Sequence, residues 1–268
     1  MKKYWHVIGI GIQSNLAYRF NYLTRTLLSF IPLFAMLSLW RTIYSEQSEG
    51  HLLSGYTQAQ LIFYYMMVAI VDIFTAVSED DWQIAADIRE GNISQFLLKP
   101  VDYLWYRLCL FFSGRIAYFS MACLPLAFFI FCFRDYFVAP ASGMALAAFP
   151  VSIVLTALLQ FFLSYSMAML AFWVLEISTF IFILFAFEYL ASGHLFPLDM
   201  LPPALQHALA FTPFPSMLYI PISIYMGKIT GSGIALNLLT QLCWVFLMYA
   251  LARFMWRRGI KKYAAFGG

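Results

Sequence analysis

Asp72, Arg115 and Glu188 are ionisable side chains set inside long apolar runs. A charge in such surroundings is costly, so it pairs with another charge, lines a polar path or relays a proton. Asp72 and Arg115 have opposite signs and similar depth, and they are expected to pair, either as a lock between two helices or as part of a pathway. Glu188 is expected either to face a pathway between subunits or to be hydrogen-bonded among its own helices. His194, in "SGHLFP", carries a ring that titrates near neutral pH or simply sits at a polar–apolar boundary. Gln160, Ser164 and Ser166 have the character of hydrogen-bonding glue between helices. An enzyme built on His194, Asp199 or Glu188 would need a convergent polar cluster, and no metal-site, nucleophile–base or paired-carboxylate spacing supplies one. Cys109, Cys123, Cys132 and Cys243 lie in apolar runs without a CxxC spacing and read as small hydrophobes.

The elements that hold these residues follow from composition. The chain has 268 residues, 63% hydrophobic and 11% charged, where a soluble domain runs near about 45–50% and about 25%. A net charge of +3 is too small to argue for nucleic acid. The solvent for most of this chain is lipid, and the fold class expected is an all-α integral membrane protein. The opening "MKKYWHVIGIGIQSNLAYRF" lacks a sustained apolar core and a small-residue cleavage site, so a signal peptide is not expected. Residues 1–21 read instead as an interfacial helix with Tyr4, Trp5, Ile8 and Ile12 toward the acyl chains.

A spanning helix needs about 20 mostly apolar residues, and six stretches qualify: 22–44, 58–78, 108–133, 144–173, 177–195 and 234–255. Six spans place both termini on one side. With that side cytoplasmic, it holds Lys2, Lys3, Arg19, Arg25, Arg89, Lys99, Arg107, Arg115, Arg253, Arg257, Arg258, Lys261 and Lys262. Only Arg41, Arg134 and Lys228 remain outside. Thirteen of the 16 basic residues on one side is a strong positive-inside bias. Most tryptophans fall near span ends, as an aromatic belt requires.

Two connections are more than loops. In 79–106, Glu79, Asp80 and Asp81 suit a helix N-terminus, Gly91 offers a C-cap and Pro100 stops a second short turn. Ile84, Ile88, Phe96, Leu97 and Leu98 need a cover, either the membrane surface or a cytoplasmic partner. On the outer side, 191–231 is too apolar for a solvated loop and is broken by Pro197, Pro202, Pro203, Pro213, Pro215 and Pro221. Irregular backbone at membrane depth is tolerated where protein or a water-filled cavity covers it, so short re-entrant helices capping a pathway are expected, or else a rigid plug that only stabilises the fold.

The segments "IREGNISQFLLKPVDYLWYRL", "SGHLFPLDMLP" and "PFPSMLYIPISIYMGKITG" together resemble those of type-2 ATP-binding-cassette (ABC) exporter permeases. The resemblance implies a single transmembrane domain over 1–268, a coupling helix between spans two and three, and a multi-pass location in the bacterial cytoplasmic (inner) membrane. Its ATPase-coupling residues would be Ile84, Ile88, Arg89, Glu90, Gly91, Phe96 and Leu97. Its outer gate would be Ser192, Gly193, Phe196, Pro197 and Pro202. It implies as partners a cytoplasmic ABC ATPase subunit and a second permease copy or related permease, beside membrane lipid. No GxxxxGK[ST] loop occurs, so no cofactor is expected in this chain; ATP and Mg would belong to the partner subunit. An ion- or proton-coupled secondary transporter or channel is the alternative, which predicts matching interrupted helices in two halves.

Overall fold

The computed structural model describes residues 2–17, 19–45, 55–77 and 80–263; Ser78 and Glu79 of the expected coupling segment lie outside them. Its elements are helices: α1 (Lys2–Ala17), α2 (Arg19–Ser45), α3 (Gln58–Thr75), α4 (Asp80–Arg89), α5 (Ile93–Leu97), α6 (Tyr103–Cys132), α7 (Gly143–Ala168), α8 (Ser178–Ala191), α9 (Pro203–Ala210), α10 (Tyr219–Tyr225) and α11 (Ser232–Lys262). Short 3₁₀ turns link several of them, and no strand occurs among the described residues. The long helices α3, α6 and α7 are apolar nearly all round, as lipid contact and burial in the bundle demand.

Among the described residues five helices are long and apolar enough to cross a membrane, one fewer than the six stretches the sequence offers. The expected fifth span, 177–195, is the 14-residue α8, about 21 Å long at 1.5 Å per residue against a hydrocarbon core of about 30 Å. Its end is enforced by Gly193, whose φ of +100° no other residue type adopts readily. The third span begins earlier than expected because Asp102 caps α6, accepting a hydrogen bond from the Trp105 N–H at 3.2 Å. Residues 103–106 therefore belong to the helix and not to the connection. The last span runs on to Lys262.

α1 lies along α6 rather than only on lipid. Gly11 is the reason: a methyl there would meet Ser113 Cβ at 2.7 Å, and Ser113 Oγ donates to the Ile8 carbonyl at 3.2 Å. Trp5 stays exposed, whereas Tyr4, Ile8 and Ile12 are half-buried. α7 is the hub, packing on α3, α4, α10 and α11. A buried polar knot fixes its middle: Ser152 donates to Gln241 Oε1 at 2.8 Å, while Thr156 and Gln241 both donate to the Ser216 carbonyl, at 2.9 and 2.8 Å. These bonds tie α7 to α11 and hold the 213–217 backbone at mid-helix level.

Candidate functional site

The coupling segment sits at the end of the bundle where most basic residues collect. Gly91, with φ +81°, ends α4 and turns the chain into α5. Ile84, Ile88 and Ile93 are buried in the main core with Tyr103, Leu104, Ala168 and Met169. The expected contact set is thus split by helical phase. Ile84 and Ile88 point into the bundle, Phe96 packs between the Tyr103 and Tyr106 rings at 5.1 and 5.0 Å, and Gly91 is half-buried. Arg89 and Glu90 are exposed, as are Leu97 (52%) and its neighbour Leu98 (89%). The outward tip is therefore 97–99.

What clamps this segment was missed in the sequence. Arg107, near the start of α6, is almost fully buried and pairs with Asp87 of α4; it also donates to Tyr103 Oη at 2.9 Å and to Gln83 Oε1 at 3.3 Å. Tyr103 in turn donates to Asp87 at 2.7 Å. A charged guanidinium satisfied by a carboxylate and two neutral acceptors is a rigid joint. Asp102 adds a second link, to Arg253 of α11. On the other flank, Ala85 packs with Ile177 and Ile181 at the start of α8, and Arg89 reaches the Leu175 carbonyl at 3.3 Å. Glu176, in the turn before α8, accepts from the Ser178 N–H at 3.0 Å; hydrogen bonds from Ser178 hold its carboxyl below the usual range. α4 thus touches the ends of α6, α7 and α8 at once.

At the far end, 191–231 folds back between the long helices. Tyr64 and Tyr65 of α3 donate to the carbonyls of Gly193 and Leu195 at 2.7 and 2.6 Å, and the Tyr219 N–H donates to the Ser192 carbonyl at 3.0 Å. Farther along, Tyr56 donates to Asp199 Oδ1 at 2.9 Å while Lys228 pairs with Asp199 and lies over the Tyr56 ring. Burial, and then the Asp199 carboxylate, push the Tyr56 phenol well above its ordinary pKa, so it remains a donor. Ser192, Gly193 and Pro197 are buried, Phe196 is half-buried and Pro202 is exposed. The segment climbs α3 from Asp72 through Tyr64 to Tyr56, its irregular carbonyls met by tyrosine hydroxyls.

The intramembrane charges meet differently from expectation. Asp72 meets His194, Nε2 to Oδ1 at 3.1 Å, in place of Arg115. His194 is reachable because α8 stops short, and it is held by Ser192 Oγ at 2.7 Å and stacked on Tyr189. Arg115 instead lies over the Phe111 and Tyr118 rings, 5.8 and 5.4 Å from their centroids. Glu188, 7% exposed, accepts from Gln160 Nε2 at 2.7 Å, the within-bundle arrangement. Ser166 bonds its own helix at Phe162, so of the three expected glue residues Gln160 is the one with a bond to another helix. Asp72, Arg115 and His194 all line a cavity of about 380 Å³ between α2, α3 and α6. Among the described residues no group of His, Cys, Asp and Glu has the geometry to hold a metal ion.

No curated protein matches the chain. The clamped segment at the basic end, the folded-back segment opposite and the long apolar helices between them coincide with a family model: residues 30–267 match the model for ABC-2 family transporter proteins. The chain is a multi-pass membrane protein and belongs to the ABC-2 transporter family.

Proposed function

We propose that this permease works as the membrane subunit of an ABC exporter, paired with a second permease and driven by a cytoplasmic ATPase that docks on α4–α5. The observation that carries the reading is the pair Leu97–Leu98. Two leucines, 52% and 89% exposed, stand on a tip whose other face is locked into the bundle through Arg107 and Asp87. A tip that is apolar outside and rigid inside suits the receipt of force, and the lack of a Walker-type loop in these 268 residues is in keeping with a motor carried by a separate subunit. In this reading the basic end is cytoplasmic, as the positive-inside rule favours. Closure of the ATPase moves α4; α6 follows through Arg107, and α8 through Ala85 and Ile181. The 191–231 segment, bonded to α3 by tyrosine hydroxyls, closes the outer side until that movement reaches it.

The test is co-purification of the tagged chain from native membranes. A nucleotide-binding subunit is expected to accompany it and to be lost on Leu97→Asp/Leu98→Asp. If none accompanies it, and transport runs on a proton gradient without ATP, the chain is a secondary transporter and the proposal fails.

A further inference from the structure

The cavity between α2, α3 and α6 belongs neither to the coupling segment nor to the outer segment. Its volume, about 380 Å³, falls in the range of small-molecule sites, about 300–1,000 Å³. Its walls are graded along α2. Tyr22 and Arg25 line one end, with Arg115 and Tyr118 of α6 beside them; Tyr22 and Tyr118 are in ring contact at 6.0 Å. Leu33 and Met36 line the other end with Leu126. From Arg25 to Met36 the helix rises about 16 Å. The cavity is therefore polar and cationic at one end and aliphatic at the other. Asp72 is the one carboxylate among the described residues that line it, and it is already engaged by His194 at 3.1 Å.

We infer that this cavity binds an anionic amphiphile, a carboxylate or phosphate head at Arg25 and Arg115 with an apolar tail along Leu33, Met36 and Leu126. The chemistry follows from the lining. Guanidinium is the side chain whose planar fork matches carboxylate and phosphate oxygens two at a time, and it has five donors, enough to keep existing contacts while gaining new ones. Within hydrocarbon it stays charged, so a bound anion gains a strong, little-screened interaction. A cationic amphiphile would meet two like charges at the same place. The site goes beyond the export role and does not depend on it, because binding reads without nucleotide or ATPase.

The experiment is equilibrium dialysis of dodecyl phosphate against the purified full chain in uncharged maltoside micelles. Saturable binding at one molecule per chain is expected, weakened at least about tenfold by Arg115→Gln or by Arg25→Gln. Met36→Trp, which keeps both cations and fills the aliphatic end, is expected to weaken it as well. Dodecyl trimethylammonium should not displace the phosphate. Unsaturable uptake, unchanged affinity in the arginine variants, or equal displacement by the cation would overturn the site; should an arginine variant fail to fold, Met36→Trp and the head-group exchange decide alone. Repeating the measurement in nanodiscs identifies the source of the ligand. Competition by phosphatidylglycerol and not by phosphatidylcholine assigns the cavity to a membrane lipid, and binding untouched by either assigns it to a single-tailed anion.

Discussion

His194 Nε2 stands 3.1 Å from Asp72 Oδ1, joining the turn after α8 to the lower half of α3. The two residues are 122 positions apart, and their contact exists because α8 stops after 14 residues. If the pair couples these elements, Asp72→Asn and His194→Gln will not add. A double-mutant cycle on thermal stability is expected to return a coupling of about 1 kcal/mol, within the range for residues in contact. Strict additivity would show that the two merely lie side by side.

Arg107 and Asp87 make the strongest case for a structural charge. Removing one partner of a buried pair strands the other, and Arg107→Gln is expected to cost about 3 kcal/mol. Replacing both, as Arg107→Met with Asp87→Leu, should cost less than the sum of the single changes. Chemical denaturation in a fixed micelle measures the difference; a double variant as impaired as the sum would argue against the pairing.

Helical phase separates two hydrophobic residues of the coupling segment. Leu98 is 89% exposed and Ile88 is 5% exposed. Leu98→Asp should leave the stability within about 0.5 kcal/mol of the parent. Ile88→Asp should cost about 4 kcal/mol or prevent folding, since it strands a charge in the core. Size-exclusion profiles and thermal melts of both variants are sufficient. Equal tolerance at the two positions would mean that Ile88 is not packed as the structure has it.

Gly193 combines a positive φ with crowding, because a Cβ there would lie 2.7 Å from Tyr64 Oη. Gly193→Ala is expected to cost about 1–3 kcal/mol through backbone strain alone. Tyr64→Phe removes the hydroxyl that satisfies the Gly193 carbonyl and should cost about 1–3 kcal/mol. Because Gly193→Ala also displaces that hydroxyl, the two changes together should cost less than their sum. Thermal unfolding of the three variants measures this.

The long helices were legible because each needs only an unbroken apolar run, and Gly91 and Pro100 were legible because backbone chemistry marks them without reference to a partner. Residues that act across the fold were harder. Glu188 and Gln160 were each noticed, but nothing in a 28-residue separation announces that they touch. Arg107 looked like one more inside-positive charge, since its acid lies 20 positions back across two helix ends. Charge and depth suggested Arg115 for Asp72. The nearer His194 could be found only by knowing that α8 falls short, and its run of apolar residues continued past the point where the helix ends. The apolar set on α4 showed that cover was needed without showing that the bundle itself supplies much of it.

α8 has a consequence for the bilayer as well as for the chain. Its length of about 21 Å falls about 9 Å short of the hydrocarbon thickness of about 30 Å. Its outer surface is ringed by Phe180, Phe182, Ile183 and Phe187, each 48–64% exposed. Acyl chains facing this flank meet a shortened apolar wall whose upper edge gives way to irregular backbone. Lipids accommodate a short wall by thinning, so the membrane is expected to be pinched beside α8, with the two leaflets closer there than anywhere else around the protein.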